Sequence, residues 1–108
     1  MVRKLTARRQ GDILLIRRNR AFIPESAKPK VDKIVAEGEG HGHQHSFAAT
    51  APVVLYDTGS PLVQYGVVKE ASVLEHQEHE SFTVPAGTYE IIRQREATLE
   101  DTERAVMD

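Results

Sequence analysis

All five histidines of this 108-residue chain fall in two short runs, Gly40-His41-Gly42-His43-Gln44-His45 and His76-Gln77-Glu78-His79. Imidazole is the commonest protein ligand for borderline transition metals, and it titrates near neutral pH. Two such runs, 30 residues apart, can meet in a folded domain and hold one ion. The chain has no cysteine, so a zinc-type site here must use imidazole and carboxylate ligands. Three neutral nitrogens with one position left for water make a catalytic kind of site, and four protein ligands make a structural one.

The local periods say how each run projects. In a strand, residues i and i+2 point to one side, so His43 and His45 project together, and His41 with them if the strand continues through it. Phe47 and Ala49 share that parity. His76 and His79 are three apart, so an unbroken strand would put them on opposite faces. Convergence therefore requires a turn or bulge at Gln77-Glu78. Leu74, Phe82 and Val84 share the parity of His76, which points that residue inward. Glu78 and Glu80 are carboxylates placed to ligate or to fix an imidazole tautomer.

The elements that must carry these residues read as short strands. Residues 12–18 form an apolar run after the turn-favouring Gly11-Asp12. Residues 19–30, with Pro24 and Pro29, read as a loop. Strands follow at 31–37, 46–50, 53–56, 62–69, 71–74, 82–84 and 88–95, with turns at Asp57-Thr58-Gly59-Ser60-Pro61 and Pro85-Ala86-Gly87. Thr98-Leu99-Glu100-Asp101 resembles a capped helix start. The expectation is one all-β domain over 1–108, a small β-barrel or sandwich, with a basic and disordered N-terminus at 1–9 and a short C-terminal helix at 97–108.

Other chemistries lack their motifs. Thr50, Thr58 and Ser60 have no nucleophile-elbow context, and Gly38-Glu39-Gly40-His41-Gly42 is acidic and lacks the lysine of a phosphate-binding loop. The longest apolar stretch near the N-terminus, Ile13-Leu14-Leu15-Ile16, is too short for a signal or a membrane span, which reads as cytoplasmic with no membrane partner. The charge is lopsided. Residues 1–33 hold ten Lys/Arg against three Asp/Glu, and the rest holds four against thirteen. The rival reading is therefore a non-catalytic interaction module that binds protein or nucleic acid through Arg8, Arg9, Arg17 and Arg18. Edge strands of small β proteins also pair into homodimers.

Two resemblances bear on these residues. His43-Gln44-His45 followed by Pro85-Ala86-Gly87 resembles the cupin superfamily of small β-barrels, which place a His-x-His on one strand, a Glu shortly after, and a further His three residues beyond a Pro-x-Gly turn. Here no Glu follows His45 within five residues, and the position three beyond Gly87 is Glu90. Across residues 9–96 the chain resembles a group of short bacterial and phage-associated proteins of uncharacterised activity. The shared elements are Gln10-Gly11-Asp12, Gly38-Glu39, Gly42-His43-Gln44-His45, His76-Gln77-Glu78-His79, Pro85-Ala86-Gly87-Thr88-Tyr89 and Arg93-Gln94-Arg95-Glu96. That resemblance implies a metal-ligand set of His43, His45, His76 and His79, with His41 outside it.

The expected function is binding of one divalent transition metal (Zn, Fe, Ni or Mn) by those four histidines, with room for a small-molecule ligand at the ion. Should the site be catalytic, Glu78 or Glu90 is the proton-transfer carboxylate.

Overall fold

The computed structural model describes residues 6–37 and 43–94. Ten strands build it: β1 (Ala7–Gln10), β2 (Ile13–Arg18), β3 (Lys28–Pro29), β4 (Ile34–Glu37), β5 (Gln44–Ser46), β6 (Val53–Asp57), β7 (Val63–Val68), β8 (Ser72–Leu74), β9 (Phe82–Val84) and β10 (Gly87–Arg93). A 3-10 turn covers Arg20–Phe22.

Six strands form one antiparallel sheet in the order β1-β2-β10-β7-β6-β3. Its middle is β10, a run of β-branched and aromatic residues paired on both sides. Two hairpin-like pairs, β4-β5 and β8-β9, make up the rest. An isolated antiparallel bridge between Ser46 and Glu75 joins β5 to the end of β8, so these pairs connect edge to edge.

Alternation along the strands puts Ile13, Leu15, Leu55, Tyr89 and Ile91 of the large sheet into one core with Val35, Phe47, Leu74, Phe82 and Val84 from the smaller pairs and their flanks. Tyr89 is fully buried, and its hydroxyl donates to Pro85 O at 2.7 Å, which satisfies the polar end of the ring.

The all-β, single-core expectation is met by a layered arrangement. The barrel is not: the large sheet stays open, with β1 and β3 at its edges. The short β3 offers only Lys28 and Pro29 for pairing, and proline cannot donate to a further strand, so this edge cannot propagate toward closure. Part of the segment expected to be a disordered tail is a strand, because Ala7–Gln10 pairs with β2 across a two-residue turn. The strand expected at 46–50 lies earlier, at Gln44–Ser46, so Phe47 is buried while Ala49 stands exposed in the following turn. His41 and the helix expected at 97–108 lie outside the described residues. No helix among the described residues is long and apolar enough to cross a membrane.

Candidate functional site

The Ser46–Glu75 bridge sets the geometry of the histidines. The two residues exchange both backbone hydrogen bonds, Ser46 N to Glu75 O at 3.0 Å and Glu75 N to Ser46 O at 2.9 Å. Continuing that antiparallel register outward puts His45 opposite His76, Gln44 opposite Gln77, and His43 opposite Glu78. Each pair is in contact. The His45 and His76 rings lie 4.3 Å apart between centroids. Gln44 N donates to Gln77 Oε1 at 2.8 Å. His43 Nδ1 lies 3.3 Å from Glu78 Oε1.

The expected turn in the second run is present, and His76 itself closes it. His76 Nδ1 accepts from the backbone N–H groups of Glu78 and His79, at 3.0 and 3.2 Å. This folds the chain back and brings the His79 ring to 4.5 Å from that of His76 and 6.0 Å from that of His45, nearly parallel to the latter. His43 meets His76 edge-on at 5.8 Å. The four histidines of the expected set therefore form one continuous group of rings.

His45 is the buried member, 3% exposed. Its Nδ1 lies 2.7 Å from Gln10 Oε1 and its Nε2 lies 3.0 Å from Asp12 Oδ1. Burial, with the neighbouring His76, depresses its pKa to about 4, against the opposing pull of Asp12, so the ring is neutral at neutral pH. Burial also lowers the pKa of His76, helped by His79. For Asp12, burial works against the charged form, but the hydrogen bond and charge of Arg93, with a smaller contribution from His45, outweigh it and hold the carboxyl below its usual range.

Gln10, Gly11 and Asp12 are the residues that the histidine count alone does not flag. Gln10 ends β1 and Gly11-Asp12 make the two-residue turn to β2; in the sequence they are marked by the turn-favouring Gly11-Asp12 and the shared Gln10-Gly11-Asp12 element. Gln10 is 2% exposed and donates to Leu74 O and Glu80 O at 2.9 and 3.0 Å, which bolts the hairpin to both ends of the second histidine run. Gly11 has φ +58°, and a Cβ there would stand 2.5 Å from His79 Nε2. Only glycine fits both the backbone and the ring beside it. Asp12 Oδ2 accepts from Arg93 Nε at 3.1 Å, and Arg93 Nη2 donates to Glu37 O at 2.7 Å.

Glu90 does not join the group. Its strand neighbours Tyr89 and Ile91 fill the core, so Glu90 faces the other side of the sheet, where it accepts from Arg18 Nε at 2.9 Å. Of the two candidate proton-transfer carboxylates, only Glu78 touches the histidines. Three of the four arginines of the rival reading make contacts within the fold: Arg8 lies over the Phe82 ring, Arg17 donates to Ala86 O, and Arg18 pairs with Glu90.

Among the described residues, no group of three or more His, Asp or Glu side chains stands in an arrangement that would hold a metal ion. The rings pack on one another, His45 Nδ1 faces Gln10, and His76 turns one nitrogen to the backbone.

The molecule is thus defined as an open all-β domain whose two histidine runs meet over a glycine turn. It belongs to the family described as "Domain of unknown function (DUF8820)", whose model matches residues 9–94. No curated protein and no solved structure matches it.

Proposed function

We propose that the protein binds one divalent transition-metal ion, such as Zn, Fe, Ni or Mn, through His43, His45, His76 and His79. The observation that carries this reading is the convergence of the two runs: the four rings form one contiguous group, with neighbouring centroids 4.3, 4.5, 5.8 and 6.0 Å apart. Two imidazoles that share an ion at about 2.0–2.1 Å have ring centres roughly 4.5–5.5 Å apart, so loading draws in the outer pairs and turns the stacked ones. The lowered pKa values of His45 and His76 favour the neutral form that a metal requires.

His76 opposes binding in one respect. Accepting two N–H groups at Nδ1 places its proton on Nε2, so ligation through Nε2 requires the proton to move and both amide contacts to be released. The turn at 77–79 therefore tunes affinity, and loading rearranges it. Glu78, beside His43, is the carboxylate positioned to take a proton from that ring or from a ligand at the ion.

Elemental analysis of tag-free protein, purified without added metal, tests this reading beside a His43→Ala/His76→Ala variant. About one equivalent of a single metal in the parent, lost in the variant, is the expected result. Trace mixed metals in both overturn it.

A further inference from the structure

The tautomer of His45 is fixed by atoms outside the histidine cluster. The Gln10 side-chain nitrogen sits on two carbonyl oxygens, Leu74 O and Glu80 O, which can only accept. Its oxygen must then be the atom that faces His45 Nδ1 at 2.7 Å. Nδ1 therefore carries a proton and donates it, which leaves Nε2 of the neutral ring with a bare lone pair. That lone pair faces Asp12 Oδ1 at 3.0 Å, and the other carboxylate oxygen already accepts from Arg93.

Two acceptors at 3.0 Å need something positive between them. A proton is one solution, but on His45 it puts a cation on a buried ring packed against His76 and His79, and on Asp12 it neutralises the carboxylate that Arg93 pairs with. A metal ion is the other. Nitrogen and oxygen ligands at about 2.0–2.2 Å from one ion, at a right angle, stand roughly 3.0 Å apart, against roughly 3.4 Å at the tetrahedral angle. The side chain of Asp12 is 40% exposed, so an ion can reach the pair from solvent.

We infer that Asp12 is a protein ligand of the bound ion, adjacent to His45 in its coordination shell, with Gln10 as the positioning residue that presents His45 Nε2. This rests on the proposed metal reading and extends it: the donor set is mixed imidazole and carboxylate, drawn from three segments and anchored on the β1–β2 turn. Arg93 holds Asp12 Oδ2 and leaves Oδ1 for the ion, the usual division of labour between a ligating carboxylate and its outer partner.

Titration of the full chain with Co2+, followed by visible absorption, tests this on the parent and on Asp12→Asn. The parent is expected to bind, and the variant to lose more than the roughly 100-fold that removal of an outer partner costs at most. Chelator-treated Asp12→Asn loses the charge that pairs with Arg93, so a modest fall in its melting temperature is expected whatever Asp12 does for the ion. The Co2+ affinity decides: a role limited to the ion pair predicts that same fall with unchanged Co2+ affinity. Parent and variant binding alike, with identical spectra, overturns the role of Asp12 and leaves the metal reading intact. A parent that does not bind Co2+ sinks the metal reading and this inference with it. Should Asp12→Asn fail to fold, Asp12→Glu retains the carboxylate on a longer arm. A shifted Co2+ band in that variant supports ligation, and an unchanged band rules it out.

Discussion

Ser46 and Glu75 exchange both backbone hydrogen bonds, and this one bridge registers the two histidine runs. His45 faces His76 and His43 faces Glu78 because each lies the same number of residues from the bridge on its own segment. A shift of one residue would send each imidazole to the opposite face. The site is therefore specified by strand pairing before any metal or substrate is considered.

Gln10 is the first residue on which that registration can be tested. Gln10→Leu keeps the volume but orphans Leu74 O, Glu80 O and His45 Nδ1. A loss on the order of 3 kcal/mol is expected in urea denaturation of the metal-free protein. Unchanged stability would show that these three groups find other partners.

Gly11→Ala combines a left-handed backbone with a Cβ pressed into the His79 ring. Strain of this kind costs about 1–3 kcal/mol, and the His79 ring has to give way. Denaturation midpoints should fall, and the His79 ring resonances in an NMR spectrum should move more than those of His43. An alanine variant as stable as the parent would mean that the turn can change its form freely.

Acid should destabilise the metal-free fold over a window set by His45. Its folded pKa, about 4, lies below the unfolded value of 6.5, so the unfolded chain takes up the proton first. The stability from this group is full above pH 6.5 and drains away as pH falls toward 4, by about 3 kcal/mol. His76 adds in the same direction. Asp12, whose pKa is lowered below 3.8, loses its contribution only at more acid pH. Urea midpoints at pH 7 and pH 4.5 measure the slope, and His45→Gln should flatten it. Equal slopes in both proteins would remove His45 from the account.

Glu90→Gln separates the outer face of the sheet from the site. It breaks the Arg18 pair, a half-exposed contact worth at most about 1 kcal/mol, and leaves the histidines untouched. Metal content should match the parent's. A lost equivalent of metal would show that Glu90 communicates with the cluster across the sheet.

Much of this was legible in the chain. Apolar runs such as Ile13–Arg18 and Val63–Val68 carry β-branched and aromatic residues between turn signals, and they are strands. The turn required at Gln77-Glu78 followed from the three-residue spacing of two histidines that had to converge. Glu90 was not legible as an outward residue, because its orientation depends on which of two parities in β10 meets the core. The barrel was not legible either way, since closure depends on edge pairing over long range, and local pattern is silent on that.

The sequence by itself determined that this is an all-β domain with every imidazole in two runs, because residue type and period are local properties. Only the tertiary structure decided that a third segment, Gln10-Gly11-Asp12, packs against both. A side chain 33 residues from His45 comes within 3.0 Å of it through the pairing of β1 with β2 and the hydrogen bonds of Gln10. Such proximity belongs to the way strands stack and cross, and no window along the chain contains it.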